Sequence, residues 1–179
     1  RSRNRVFVVH RLDRETSGVL VFAKSEEAKR RLQAQWYESD KKYLAVVQGT
    51  CAQPAGTLEI SLAENRAHVV YVTRDPNEGK LAQTTYRVLK QTAHVALLEV
   101  TLLTGRKHQI RVQLADLGHP VVGDAKYGQQ RDPNRRLALH AHSLSFLHPF
   151  GNERLTFTAA VPGHFTKLVG RLPKEGVGE

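Results

Sequence analysis

At 179 residues and 40% apolar, the chain is long enough to bury one core and too apolar for a disordered segment. Lys and Arg number 27 against 17 Asp and Glu, a formal net charge of +10. That balance argues for a polyanionic partner, nucleic acid first. No apolar run reaches the length of a membrane span, no secretory leader follows the basic start, and methionine is absent even at position 1, so the chain reads as a fragment. The one cysteine, Cys51, excludes an internal disulfide and fits a reducing, cytoplasmic setting.

In chain order, Val6–Val9 and Val19–Ala23 are predicted as buried strands around a polar turn. Ser25 is a good cap for a helix from about Glu26 to Glu38, with Glu26 and Glu27 where the helix dipole favours acids. Ala28, Leu32 and Trp36 give its apolar face, and Trp36 is expected as a core anchor. Lys42–Gln48 reads as a strand, with Tyr43, Ala45 and Val47 on one face. Short strands follow at Thr57–Leu62, His68–Thr73, Thr84–Lys90 and His94–Leu103, close enough for antiparallel hairpins. A second helix is predicted from about Arg106 to Leu117, with Ile110, Leu114 and Leu117 as its stripe, ended by Gly118 and Pro120. Leu137–Leu147 and Arg154–Val161 are late strands, Phe165–Leu172 a closing helix, and Pro173–Glu179 a loose tail. The class is α+β, a mainly antiparallel mixed sheet with flanking helices, in one domain over 1–172.

The cations cluster near Asp13, in Lys29-Arg-Arg31, in Arg106-Lys107 and in Arg135-Arg136. The stretch His10-Arg-Leu-Asp-Arg-Glu-Thr-Ser-Gly18 sets one carboxylate, Asp13, between Arg11 and Arg14 in the polar turn. A turn needs Asp, Thr, Ser and Gly, not flanking arginines. An acid among cations stays ionised and can serve as nucleophile or base. Arg106, Lys107, His108 and Arg111 crowd the predicted start of the second helix, where cations are disfavoured unless an anion receives them. Arg111 follows the stripe residue Ile110 and needs a carboxylate, for which Asp13 serves. His140 and His142 share a strand face, but two ligands are too few for a metal site, so sheet packing is expected. Cys51 lacks the surroundings of a nucleophile. Gly123–Gly128 matches no phosphate-binding loop and reads as a tight turn.

Three segments together resemble the RluA-type pseudouridine synthases. They are His10–Gly18, then Lys42-Tyr43 followed by Leu-Ala-Val-Val-Gln-Gly, then Thr104-Gly-Arg-Lys-His-Gln-Ile-Arg111 continuing to Gly118-His-Pro-Val-Val-Gly-Asp-Ala-Lys-Tyr-Gly128. The likeness spans roughly His10 to Val161 in the family's order. It implies the pseudouridine synthase catalytic-domain fold and isomerisation of uridine within ribosomal or transfer RNA, by base flipping and with no cofactor or metal. Asp13 would be the nucleophile, Tyr43 would line the base and help remove the C5 proton, and Arg111 would pair with Asp13. Arg11 would fill the space the base leaves. Arg14, Arg106, Lys107, His108, Gln109 and Ile110 would complete the RNA-binding surface and pocket wall. A monomer that meets RNA and no membrane is expected. Relatives carry a further segment before the first motif, where only nine residues stand here, and commonly a histidine where this chain has Gln113. Two other readings compete: a non-catalytic RNA-binding module on the same fold, and a metal-dependent hydrolase built on His10, Asp13, His140 and His142.

Overall fold

A computed structural model describes residues 5–128, 132, 134, 136–151 and 153–173. Arg135 and most of the predicted tail, residues 174–179, lie outside the described residues. The chain runs β1 (Phe7–Val8), β2 (Ser17–Gly18), β3 (Phe22–Ala23), α1 (Glu26–Ala34), β4 (Asp40–Gln48), β5 (Ala55–Glu64) and β6 (Val70–Thr73). It continues through β7 (Lys80–Gln91), β8 (Val95–Leu102), α2 (Gln109–Asp116), β9 (Leu139–Leu147), β10 (Arg154–Thr158) and α3 (Gly163–Val169). One eight-stranded sheet has the order β10-β9-β4-β8-β7-β5-β6, with β2 added in parallel to β9; every other pairing in it is antiparallel. The predicted α+β class and antiparallel bias are what is found.

The sheet centre is where the core sits. Leu44, Ala45, Val46 and Val47 of β4 are each at most 1% exposed. Successive strand residues point to opposite faces, so β4 is covered on both, not on the one that alternation predicts. Ile110 and Leu114 of α2 and Phe165 and Val169 of α3 join the same core as β4 and β8. Val121 and Val122 fold back over β4, where Val122 N donates to Val46 O.

Four predicted elements change on folding. Val6–Val9 and Val19–Ala23 are not buried strands: only two-residue pieces pair, β1 with β3, and Val6, Val8, Leu20 and Phe22 are exposed. Helix α1 starts as expected, with Ser25 Oγ accepting from Ala28 N, but it ends at Ala34. Gln35 leaves the helical region and its side chain donates to Leu147 O at 2.7 Å, and a separate 3-10 turn carries Trp36–Glu38. Helix α2 begins at Gln109, not Arg106. His108 sits in the left-handed region with φ 53°, which helix interiors do not allow, so Arg106 and Lys107 fall in the loop before the helix. Leu117 is the exposed residue that ends α2, so the expected stripe loses its last member. The remaining strands differ from prediction by a few residues at their ends, as when β6 begins at Val70 because His68 turns with φ 59°.

Two glycines fix the chain around the cavity described next. Gly18 has φ +122°, and an added Cβ would stand 2.2 Å from Ala141 O of β9. Gly123 has φ +77°, and its Cβ would stand 2.1 Å from Arg136 O. Neither position admits a larger residue without moving backbone.

Candidate active site

A cavity of about 590 Å³ opens beside the inner strands β4, β8 and β9, which contribute Tyr43, Leu102 and Leu139, a volume in the range of ordinary ligand sites. Three parts of the chain line most of it: the His10–Asp13 turn, Tyr43 with Trp36 and Lys41, and Leu102 through Arg111. Asp13, Tyr43 and Arg111, far apart in sequence, therefore share one wall. The β4–β9 register shifts between Lys42 and Tyr43, and such a shift re-aims the side chains beside it. Arg11, Arg106, Lys107, His108, Gln109 and Ile110 line the same cavity. Arg14 does not; the turn closed by Thr16 N and Asp13 O turns it out to the surface.

Arg111 is the pivot of the site. Its Nη1 donates to Asp13 Oδ2 at 3.1 Å, while Nε and Nη2 donate to Asp124 Oδ2 and Oδ1 at 2.7 and 2.8 Å. The side chains are 5% exposed for Arg111, 0% for Asp124 and 19% for Asp13. The bidentate pair is the buried anchor, and the single contact to Asp13 is the part that faces the cavity. Burial alone would lower the Arg111 pKa; hydrogen bonds and charge from Asp124, then from Asp13, raise it instead. Burial likewise works to raise the Asp124 carboxyl, but Arg111 and the Tyr127 and Lys126 backbone N–H groups hold it below the usual range. Among the described residues, Asp13 bridges to Arg111 and, at 3.9 Å, to His108, not to Arg11 or Arg14. The predicted cationic company is present, but it comes from α2 rather than from Asp13's chain neighbours.

Asp124 is the functional residue that the sequence reading passed over. Gly123–Gly128 is indeed a tight turn, closed by Gly128 N donating to Asp124 O at 2.9 Å. Its composition explains the turn and hides the acid's second task.

Around this pivot the α2 end is satisfied bond by bond. Gln109 Oε1 accepts from Thr104 Oγ1 and Arg106 N, and its Nε2 donates to Gln83 O and Thr84 Oγ1. Gln109 is 2% exposed and its side chain is fully engaged, so at the cavity wall it holds the loop in shape. Gln113 donates to Leu58 O and Ala82 O and accepts from Thr84 Oγ1, so the amide serves where relatives are expected to hold a histidine. Lys107 is ion-paired with Glu64, and Arg106 Nε donates to Leu81 O. His108 Nδ1 lies 2.6 Å from the Tyr127 hydroxyl, which accepts from Val70 N. His108 Nε2 faces Asp13 Oδ1 at 3.9 Å. Burial lowers the His108 pKa, against the pull of Asp13. Burial first, and then the charge of Asp13, push the Tyr43 hydroxyl up to about 12.

The residues of the metal-hydrolase reading are not brought together. His140 Nδ1 bonds Ser17 Oγ at 2.8 Å and His142 Nδ1 lies 2.9 Å from Ala159 O, both away from the cavity lining that holds His10 and Asp13. Among the described residues, no three His, Cys, Asp or Glu side chains stand at metal-binding distance. Cys51 is buried, and burial raises its thiol pKa, as its inert reading requires. No helix among the described residues is long and apolar enough to cross a membrane.

Comparison with known proteins agrees with this architecture. The chain is 38% identical over 169 residues to an uncharacterized RNA pseudouridine synthase of Synechocystis, covering 90% of this chain and 52% of that protein. It is 35% identical over 174 residues to the ribosomal large subunit pseudouridine synthase C of Vibrio cholerae, covering 92% and 55%. The chain thus spans about half the length of the curated relatives it matches. The solved structure of human RNA pseudouridylate synthase domain containing 1 superimposes with a TM-score of 0.76 at 30% identity, over 87% of this chain and 69% of that one. Human RNA pseudouridylate synthase domain containing 4 gives the same TM-score at 27% identity, over 90% and 73%. The RNA pseudouridylate synthase family model matches residues 1–116, a span that includes Asp13, Tyr43 and Arg111, so the chain belongs to that family, and to the RluA type its three motifs resemble.

Proposed function

We propose that the chain isomerises uridine to pseudouridine within structured RNA, ribosomal or transfer, with Asp13 as the nucleophile. One observation carries the reading: a carboxylate oxygen held by a buried guanidinium, beside a tyrosine, on the wall of a cavity with a basic rim. The reaction is redox-neutral. The C1′–N1 bond breaks, a C1′–C5 bond forms, C5 gives up its proton and N1 gains one. No oxidant or reductant enters that balance.

The target base must leave its stack to reach the cavity, at a cost of a few kcal/mol. Phosphate contacts from the +10 chain offset part of that cost without reading sequence. Asp13 has one oxygen on Arg111 and presents the other to the cavity, where it attacks the ribose C1′ or the uracil ring. Arg111 keeps the carboxylate oriented through each half of the reaction, since Asp124 fixes the guanidinium from behind. Tyr43, with a pKa of about 12, enters as a neutral phenol. It walls the base and passes a proton; it does not stand as a phenolate base at neutral pH. Arg11, exposed at the cavity wall, fills the gap in the RNA stack.

The test is Asp13→Asn with RNA tritiated at uridine C5. The variant is expected to release no tritium while binding RNA within severalfold of the parent. Tritium release at the parental rate refutes the nucleophile. Mapping pseudouridine across total RNA, with and without the active protein, identifies the RNA and the position.

A further inference from the structure

The cavity lining holds a group of side chains that the proposed reaction does not use. His10, Trp36, Tyr37 and Lys41 belong to it. Tyr37 is 78% exposed, the highest among the large apolar side chains described, although it sits on a cavity wall. Folding gains almost nothing from an aromatic ring left in water, so packing does not explain it. The ring is carried by the rigid 3-10 turn Trp36–Glu38, whose first residue is packed on both sides. Trp36 lies 4.6 Å from the His10 ring and 6.2 Å from Phe146, centroid to centroid. Lys41 ties the turn to β4. Its Nζ donates to Trp36 O at 3.2 Å and to Ser39 Oγ at 2.9 Å, which leaves one of its three protons for a ligand. His10 adds a flat, uncharged wall: burial and the Lys41 charge lower its pKa to about 4, and its Nε2 accepts from Val21 N.

We propose that the part of the cavity lined by Tyr37 and Lys41 is a second nucleotide subsite, in which Tyr37 stacks the base next to the everted uridine and Lys41 meets the intervening phosphate. The inference rests on the RNA-modifying reading and deepens it. An exposed aromatic face and a fixed cation lining one cavity is the pattern that holds single-stranded RNA, because every base has a π-face and every nucleotide a phosphate. A subsite of this kind tolerates any base identity. It grips the strand beside the target and so helps keep the uridine out of its stack.

Trp36 is the chain's one tryptophan, so protein emission reports this part of the cavity directly. The probes are a seven-nucleotide oligouridylate and the same chain with abasic residues flanking the central uridine. Oligouridylate is expected to quench Trp36 emission and to bind more tightly than the abasic chain. Tyr37→Ala should weaken oligouridylate by about tenfold, a typical loss for one stacked base, and leave the abasic chain unchanged. Tyr37→Phe should bind both like the parent, since stacking needs the ring and not the hydroxyl. If Tyr37→Ala weakens both probes equally, or neither, or if the parent does not separate the two, the subsite is overturned. Failure of the enzymatic reading shows elsewhere, as a parent protein that forms no pseudouridine in total RNA.

Discussion

Replacing Asp124 with Asn tests the pivot of the site without touching the cavity wall. The carboxylate accepts Arg111 Nε and Nη2 and, on Oδ1, the Lys126 and Tyr127 backbone N–H groups. An amide offers one oxygen for those donors. However it rotates, its NH2 faces a donor of Arg111 or of the turn. Removing one partner of a buried ion pair costs about 3–5 kcal/mol. Asp13 remains at 3.1 Å to share the guanidinium charge, so the low end, about 3 kcal/mol, is expected. For a chain of this size that lowers Tm by roughly 6–12 °C. Urea unfolding should show the loss with an unchanged m-value. The loss should also shrink as pH falls, because a depressed carboxylate gives its stabilisation above the ordinary carboxylate pKa and loses it through its lowered value. Turnover, read as C5 tritium release, should fall at least tenfold with RNA affinity held, because the guanidinium no longer has a fixed base from which to orient Asp13. The paired change Arg111→Gln with Asp124→Asn should recover part of the stability and none of the activity. A single variant within 1 kcal/mol of the parent, turning over normally, would refute the anchoring role.

Tyr43→Phe should lower kcat with KM changed less than twofold, if the neutral hydroxyl passes a proton; a change confined to KM assigns it to packing. Glu64→Gln should tighten RNA binding and steepen its salt dependence by about one unit of log slope, since the carboxylate that now neutralises Lys107 is gone. An unchanged slope in anisotropy titrations places Lys107 away from phosphate. His10 is held uncharged, with its pKa lowered to about 4 by burial and Lys41, whereas the unfolded ring protonates near 6.5. The unfolded state therefore binds more protons between those values, and stability falls as pH drops from about 6.5 toward 4. After discounting for solvent at a half-buried ring, the loss is about 2 kcal/mol. His10→Gln should remove that limb from urea midpoints measured at pH 7.5 and 4.5.

The parts of this molecule that were legible in the sequence are those where one local rule acts alone. Ser25 caps a helix, and the spacing of Ala28 and Leu32 gives its buried face. The need of Arg111 for a carboxylate followed from its place beside the buried Ile110, and the geometry supplies Asp13. What failed were positions where tertiary structure sets the outcome. The apolar runs around Asp13 look like core strands, yet Val6, Val8, Leu20 and Phe22 stay exposed, because a run's composition does not say what will cover it. The start of α2 was misplaced because His108 takes a left-handed conformation that no periodicity signals. Asp124 was missed because an acid in a Gly-bounded turn already has a local reason to be there. A buried charge elsewhere in the chain was the only available pointer to it. One arginine with one expected carboxylate, Asp13, carries no signal in the sequence for a second.

The site joins two parts that are held in place to different degrees. Arg111, Asp124, Gln109 and Gln113 are all at most 4% exposed and bonded to the sheet or to each other. Asp13 stands on a turn whose flanks pair through two residues at a time, β1 with β3 and β2 with β9. Few buried contacts mean a low local cost of opening. Ser17 marks the boundary: its Oγ lies 2.8 Å from His140 Nδ1 of the central sheet, four residues beyond the acid, so the turn that carries Asp13 is tied to β9 at its far end.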